Sequence, residues 1–600
     1  SRIMEIFLFF FISSLLLIFS GRFFLQRLGI NLEKNSLGFS EQGFFGLIFF
    51  SFISLILNFF FKIDQTIATI ILIFPLIQFV LEYKKINKKF IKKFLTHSII
   101  ITLACVIFIS YDNVYRPDAG IYHLPYVKIL NEFKIFSGIA TLNPVFGSTS
   151  ILQYTSAIFN NYIFKDIGIT IPLAILTIYL IEYFVSEFFK KNNDSFYLVF
   201  LFLILTYIFL EMNRYSEYGN DNPAHLSLFY FLSLIFKNDF KIDSSINFKI
   251  ITLVSLFAFL NKVFLILILF IPISIWLKKK LYLNKKFFPT FSLIFFGIWI
   301  LKNFFVSGCA IYPVSFTCNN NLSWYSDNPK FIIAAKNLSQ FSELHAKNWS
   351  EISDENKFIN FQDNQNEKEV YLKNFNWLSS DKTAKNPKFG YFKIFNNYIF
   401  IIIFLISFLI FNKNLKKKRI KKLTFEKKLV FIISAISTLL AMYKFPLGRY
   451  ATSFYVIVIF FSFIMLFKNR IDILLQKKFF KKLIIILMIC GSVFILKNFT
   501  RTISNINADY YQAPWPRIYE NKNDVKNTTS NSNKFQKLNF DLKNGILKIY
   551  YVNNLNYWTS DRSVTCMYNS SPCAQTNNNF DNFKVVKTSY DYYIIKLLKD

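Results

Sequence analysis

Long runs of apolar residues, separated by short polar segments, recur along almost the whole chain. The hydrocarbon core of a bilayer is about 30 Å thick, so a crossing helix needs about 20 such residues. The pattern therefore predicts an all-α polytopic membrane protein with about fourteen spans, whose boundaries are soft by a few residues. The predicted spans are residues 3–20, 44–61, 66–82, 97–111, 168–188, 195–211, 223–236, 249–260, 263–277, 287–306, 396–412, 428–443, 451–467 and 483–498.

Basic residues are concentrated in a few loops between these spans. Clusters of Lys and Arg lie at 84–93, 278–286, 413–428 and 468–482. Short loops rich in Lys and Arg stay in the cytoplasm, and the predicted spans put all four clusters on one side. In a bacterium the opposite side is the periplasm or cell exterior. The segments predicted there are 112–167, 212–222, 307–395, 444–450 and 499–600.

One stretch strains this scheme, because residues 250–276 could form one long helix with Asn261 and Lys262 at its middle. A lysine buried in a membrane would indicate function. A single span would, however, place the basic cluster at 278–286 on the external side, against the charge rule. We therefore predict a short hairpin with Asn261 and Lys262 at its outer tip.

Composition supports the membrane class and argues against nucleic-acid binding. Hydrophobic residues make up 53% of the chain, with 78 Phe, and the formal net charge is +33. The lysines fall in short clusters between apolar runs, as membrane topology requires. We divide the chain into an N-terminal three-span extension (1–96), a membrane core with acidic external loops (97–306), an external loop domain (307–395), C-terminal membrane helices (396–498) and a small external α+β domain (499–600).

Four of the six cysteines form close pairs in segments predicted to be external. Cys309 and Cys318 lie in one segment, and Cys566 and Cys573 lie in another. Close pairs on an oxidising side favour disulfides. Zinc binding would need further ligands nearby, which the sequence does not offer.

Ionisable residues gather where predicted spans meet the external side. Asp118 and His123 belong to the first acidic loop, and Arg214, Glu217 and Asp221 belong to the second. Lys302 lies near the end of a span, and Arg449 precedes Tyr450 at the start of another. Polar residues at such depth are costly and often functional.

Each candidate also has a structural interpretation. Asp118 can serve as a base for a hydroxyl held within hydrogen-bond reach, or it can cap a helix after Pro117. Asp221 could cap the helix starting near Pro223, and His123 and His225 could be hydrogen-bonded structural residues. Arg449 can hold a phosphate or extend towards the membrane surface in the ordinary way. The two acidic loops could bind a divalent cation if Asp118 meets Glu217 or Asp221.

These motifs resemble the GT-C superfamily of membrane glycosyltransferases, which use polyprenyl-phosphate-linked sugars, and a related family of bacterial multi-span proteins. The resemblance rests on the order of five motifs: residues 118–125 (DAGIYHLP), 217–221 (EYGND), 302–308 (KNFFVSG) with Tyr312-Pro313, Arg449-Tyr450, and 566–573 (CMYNSSPC). It implies a GT-C-like helical bundle with Asp118 as base and Asp221 and Glu217 as further acidic site residues. It differs from the usual pattern in the three spans that precede the first expected helix.

The leading hypothesis is therefore an inverting glycosyltransferase at the periplasmic face of the inner membrane. It would move a sugar from a polyprenyl-phosphate donor to a glycan or lipid acceptor. Asp118 would take the acceptor proton, and Arg449, Arg214 or Lys302 would stabilise the phosphate, with Tyr450, Tyr122 and His123 lining the site. The alternatives are a glycan polymerase or ligase that relies on external arginines, a lipid or solute transporter, and a non-catalytic scaffold. No cofactor is indicated apart from the divalent cation.

Overall fold

The computed structural model describes most of the membrane region and part of the C-terminal region. The described residues are 2–30, 32, 37–82, 88–109, 118–191, 193–212, 218–347, 365–373, 423–467, 471–505, 526–532, 535–542, 545–552, 555–560, 568, 571–574 and 583–599. The predicted span 396–412 and the predicted site residues Arg214 and Glu217 lie outside them, as does Cys566.

The described part is mostly helical. Its helices are α1 (Arg2–Arg27), α2 (Phe39–Asn58), α3 (Gln65–Glu82), α4 (Lys88–Ala104), α5 (Leu124–Glu132), α6 (Leu152–Phe159), α7 (Ile171–Phe188), α8 (Ser195–Leu210), α9 (Asp221–Phe236), α10 (Ser245–Asn261), α11 (Phe270–Lys278), α12 (Thr290–Ser307), α13 (Ala335–Ala346), α14 (Gln365–Lys373), α15 (Phe425–Lys444), α16 (Gly448–Phe467) and α17 (Lys477–Asn505).

Seven helical segments of the described part are long and apolar enough to cross a membrane. They are Ile3–Arg27, Phe39–Asn58, Lys88–Ile107, Asp166–Phe188, Thr290–Ser307, Tyr450–Phe467 and Lys477–Thr500. Four shorter apolar segments accompany them: Gln65–Ile77, Ser195–Leu210, Ser245–Asn261 and Val263–Lys278. The multi-span character is thus confirmed, whereas the count of fourteen stays a prediction.

Described residues of three predicted basic clusters lie at one end of the bundle, which we call the lysine-rich end. Lys279 binds Asp243 at 2.7 Å and Glu426 at 2.9 Å, which joins the starts of α10 and α15 to the end of α11. At the same end, Phe188 stacks on Phe480 with ring centroids 5.1 Å apart. An ion pair between Glu187 and Lys237 at 3.1 Å joins these two sets of contacts, so described residues of three basic clusters lie at this end.

The contacts of Lys279 also settle the hairpin. Asp243 precedes α10 and Lys279 follows α11, so the two arms run antiparallel with Lys262 at the turn. The predicted hairpin is therefore confirmed. Its tip is buried, however: Asn261 is 1% exposed and Lys262 6% exposed.

The segment from residue 118 to residue 165 differs from expectation. Apolar residues at helical spacing near 124–133, and the polar residues that interrupt the apolar segment 148–164, predict helices lying on the membrane surface. Instead every residue of α6 is buried, and Thr155 Oγ1 lies 2.6 Å from Ser51 Oγ of α2. The polar residues of α6 therefore face the protein interior, not water.

At the opposite end, the C-terminal chain folds back onto the bundle. Strands β1 (Lys526–Ser532), β2 (Phe535–Leu542), β3 (Gly545–Val552), β4 (Leu555–Ser560) and β5 (Cys573–Ala574) form one sheet in that order, with a parallel β4–β5 pair. Strands β6 (Phe583–Lys587) and β7 (Tyr593–Leu597) form an antiparallel hairpin. The backbone of Ile595 bonds Ser137 at 2.9 Å, and that of Leu597 bonds Ser323 at 2.8 Å.

The predicted disulfides agree with the described cysteines. Cys309 is bonded to Cys318 directly after α12, at the end opposite the lysine-rich end. Cys573 also belongs to a disulfide, and its predicted partner Cys566 lies outside the described residues. Cys105 and Cys490 are buried and form no disulfide, as expected for residues inside spans.

Close packing between α1 and α2 depends on glycine. A Cβ added to Gly21 would lie 1.6 Å from the Gln42 carbonyl oxygen, and one added to Gly46 would lie 2.1 Å from the Leu17 carbonyl oxygen. Small residues let membrane helices approach backbone to backbone. We expect this contact to fix the position of the first helical pair.

Gly46→Ala should therefore lower the free energy of unfolding by about 1–3 kcal/mol, because the added methyl group overpacks the α1–α2 contact. Gly297→Ala in α12 is the matched control, since nothing lies within 4 Å of the added Cβ. Alanine favours a helix by up to about 1 kcal/mol over glycine, so this control should be neutral or stabilising. Thermal unfolding in detergent measures both variants, and equal effects would contradict the packing assignment.

Candidate functional site

Two irregular backbone segments position the polar residues at the end opposite the lysine-rich end. Residues Ala119–His123 form a π-helical turn that leads into α5. At the hairpin tip, Lys262 is extended and the 3-10 segment Val263–Leu269 follows it. Such turns interrupt the regular hydrogen-bond pattern of a helix and are frequent at functional sites.

An ion pair joins the second acidic loop to the hairpin tip. Lys262 Nζ binds Asp221 Oδ1 and lies 4.8 Å from the ring centroid of Tyr450. The Lys262 side chain is 6% exposed and that of Asp221 is 37% exposed. The lysine is thus enclosed by a carboxylate and an aromatic face, while the carboxylate remains partly open.

The position of Asp221 argues against simple capping. Asn220 occupies the cap position of α9 without a side-chain capping bond, and Asp221 is the first helical residue. A carboxylate in the first turn still interacts favourably with the helix dipole. The Asp221 side chain forms an ion pair with Lys262.

The start of α16 packs against the start of α9 beside this ion pair. His225 Nδ1 lies 2.7 Å from Ser453 Oγ, and both residues are buried. Tyr450 also contacts the ring of Phe264 at 5.8 Å. The backbone of Arg449 is in the first turn of α16, and its side chain lies outside the described residues.

A second, uncharged group surrounds His123. Gln153 Nε2 donates to His123 Nδ1 at 2.6 Å, and the ring of Tyr218 meets that of His123 edge-on with centroids 6.3 Å apart. Tyr122 contacts the same histidine ring at 4.1 Å. Burial raises the pKa of the Tyr218 hydroxyl, against an opposing contact with Ser156, so this phenol stays protonated at neutral pH.

The two groups are neighbours. Tyr218 is three residues before Asp221, and three residues of chain span at most about 11 Å. Asp118 stands one π-helical turn before His123 and is half-buried. The fold therefore brings the first acidic loop, the second acidic loop and the Arg449–Tyr450 turn to one region.

Lys302 lies in α12 and is not part of the ion pair. It is 1% exposed in α12, and its Nζ makes no hydrogen bond with any described residue. The ammonium is 5.4 Å from the ring of Trp299. Trp299 packs on Phe259, whose carbonyl accepts from Lys262 N, so aromatic side chains separate Lys302 from the ion pair.

Sequence reasoning missed several of these residues. Lys262 was noted only for its part in the hairpin, and Gln153, Ser156, Tyr218 and Ser453 were not assigned to the site. The available signal was the polar residues that interrupt the apolar segment 148–164. Among the residues that the structure describes, no group of three or more His, Cys, Asp or Glu could hold a metal ion.

Comparison with known proteins gives one match. The model of the family described as a domain of unknown function (DUF8201) matches residues 4–456, about three quarters of the chain. No curated protein and no solved structure matches the chain. The matched range contains both groups of the candidate site and excludes most of the C-terminal region.

The ion pair can be tested by a double-mutant cycle. Asp221→Asn should lower the free energy of unfolding by about 1–3 kcal/mol, because it leaves a buried ammonium without its carboxylate. Adding Lys262→Met should recover part of this loss. The control is Glu369→Gln, which breaks an exposed pair with Lys373 and should cost less than about 1 kcal/mol. Additive effects of the two site substitutions, measured by denaturation in detergent, would disprove the coupling.

Proposed function

We propose that this protein, which belongs to the DUF8201 family, is a membrane glycosyltransferase. It would transfer a sugar from a polyprenyl-phosphate donor to a glycan or lipid acceptor. The observation that carries the proposal is the convergence of Asp221, Lys262 and the Arg449–Tyr450 turn beside His123 and Asp118. These residues are far apart in the sequence and meet at one end of an apolar bundle, where a lipid-linked head group would lie.

The proposed chemistry gives each residue one task. Asp118 accepts the proton of the acceptor hydroxyl as its oxygen attacks the anomeric carbon of the sugar. The bond from that carbon to the phosphate oxygen breaks, and the polyprenyl phosphate leaves with the added negative charge. Cations placed where this charge develops lower the barrier. Lys262 is paired with Asp221 of the second acidic loop, and Arg449 is expected beside it.

The external segments would complete the site. The C-terminal hairpin and the residues after α12 pack on the end that carries the site. Disulfides persist on the oxidising side of a membrane, and the Cys309–Cys318 bond lies at this end. Together with the basic loops at the other end, this supports an inner-membrane protein whose site faces the periplasm.

Replacing the proposed base should abolish transfer without preventing donor binding. Asp118→Asn should reduce the transfer rate by about 10²–10⁴-fold, the usual contribution of a general base. Asp243→Asn removes an exposed carboxylate at the lysine-rich end, away from the site, and should leave the rate unchanged. Transfer from a radiolabelled polyprenyl-phosphate sugar in proteoliposomes measures both variants.

The same assay separates the transferase from a glycan polymerase or ligase. Activity retained in Asp118→Asn but lost in Arg449→Ala would favour the rival, which relies on an external arginine. Loss in both variants supports the transferase.

A transporter is the second candidate, and one observation favours it. The interrupted hairpin α10–α11 places Lys262 at a break between two apolar arms. Transporters bind substrates at such broken helices. Uptake of a lipid-linked sugar into proteoliposomes, without any transfer product, would favour this candidate over the enzyme.

The orientation can be tested with two exposed positions. Tyr590 is 76% exposed at the end that carries the site, and Leu283 is 74% exposed at the lysine-rich end. In intact spheroplasts, a membrane-impermeant maleimide should label Tyr590→Cys and should label Leu283→Cys only after permeabilisation. Unsubstituted protein controls for the native cysteines, and the reverse labelling would overturn the proposed periplasmic site.

A further inference from the structure

Three buried polar atoms beside His123 have no hydrogen-bond partner among the described residues. They are Gln153 Oε1, Ser156 Oγ and the Tyr218 hydroxyl. Gln153 and Ser156 are three positions apart on α6 and therefore share a helix face. The hydroxyls of Ser156 and Tyr218 face each other, but their contact falls short of hydrogen-bond geometry. The three atoms thus belong to one continuous group of side chains.

Burying these three polar atoms without partners lowers the stability of the ligand-free protein. A buried polar group without a partner loses the hydrogen bonds that it makes to water in the unfolded chain. Neighbouring polar residues of the same segment are satisfied: Thr155 bonds Ser51, and Tyr126 and Tyr154 bond each other at 3.0 Å. Within α6, the polar atoms without a partner among the described residues therefore lie on the face that meets His123 and Tyr218.

We propose that Gln153, Ser156 and Tyr218 form a subsite for a neutral, hydroxyl-bearing group, which under the proposed function is the sugar of the lipid-linked donor. The amide oxygen of Gln153 accepts a hydrogen bond, while the two hydroxyls both donate and accept. A sugar hydroxyl also donates and accepts, so it satisfies all three atoms. An apolar lipid chain would leave them unpaired.

The electrostatics of the subsite agree with a neutral ligand. Gln153, Ser156 and protonated Tyr218 carry no charge, and the hydrogen bond from Gln153 keeps His123 Nδ1 as an acceptor. An anion such as a phosphate would require cations. The ion pair of Asp221 with Lys262 begins three residues beyond Tyr218. The subsite would hold the sugar, with the phosphate towards Lys262.

The position of the subsite is set by the hairpin tip. Asn261 Oδ1 accepts from Ser150 Oγ at 2.6 Å and from the Leu152 backbone at 3.3 Å. The same residue ends α10, directly before Lys262. The start of α6 and the lysine of the ion pair are therefore held together, so that a sugar and its phosphate could be bound at one time.

The test compares stability with binding. Removing an unpartnered hydroxyl should not cost stability, so Tyr218→Phe and Ser156→Ala should leave the unfolding midpoint unchanged or raise it. Tyr126→Phe is the matched control: its hydroxyl is bonded to Tyr154, so its loss should lower the midpoint. A lowered midpoint for Tyr218→Phe, equal to that of the control, would overturn the subsite, because the hydroxyl would then have a structural partner.

Binding is measured in a detergent without a sugar head group. The probes are short-chain polyprenyl phosphates carrying glucose, mannose, galactose or N-acetylglucosamine, and the same phosphate without a sugar. Each subsite variant should bind the preferred glycosyl phosphate about tenfold more weakly, since one hydrogen bond of about 1.4 kcal/mol is lost. Binding of the sugar-free phosphate should not change.

The outcomes separate this subsite from the proposed function. If Tyr218→Phe and Ser156→Ala bind the glycosyl phosphate as tightly as the unsubstituted protein does, the subsite is wrong. The transferase proposal then still stands. Weakened binding in these variants, with no transfer by the unsubstituted protein, supports the subsite and overturns the transferase. If the unsubstituted protein does not distinguish any glycosyl phosphate from the sugar-free phosphate, the subsite is wrong.

Discussion

Asn261 makes the interaction on which the rest of the candidate site depends. Its amide donates to the Phe257 carbonyl within α10 and accepts from Ser150 at the start of α6. Within a bilayer, backbone groups freed by a helix break must find partners inside the protein. The side chain of Asn261 and the backbone bond from Ile151 to Leu260 meet this requirement. The hairpin can therefore turn inside the protein and leave Lys262 buried at its tip.

Burial of the hairpin tip changes the environment of Lys262. A lysine at an exposed turn would be an ordinary surface residue. At 6% exposure its ammonium needs a counter-charge, which Asp221 provides from the start of α9. The aromatic face of Tyr450 covers it from α16. The consecutive helices α9 and α10 and the distant helix α16 are thereby held in one arrangement, and the acidic loops face the same region.

Charge separates the two ends of the bundle. Basic loops and their carboxylate partners, such as Lys279 with Asp243 and Glu426, occupy one end. The opposite end carries the Cys309–Cys318 disulfide, the C-terminal hairpin and the candidate site. Under the proposed function, this division would place the lipid-linked donor on one side only. The family match ends at residue 456. The candidate site therefore lies inside the matched region, whereas the β-sheets lie outside it.

The sequence by itself determined the membrane class, the hairpin and the Cys309–Cys318 pair. These features follow from hydropathy, charge and short spacing, which are local properties. It could not determine that α6 is buried, because partial polarity suits both a membrane surface and a polar protein interior. Nor could it assign Lys262 to Asp221, or Gln153 and Ser156 to Tyr218. Only the tertiary structure decided these pairings, since they join side chains from helices far apart in the chain.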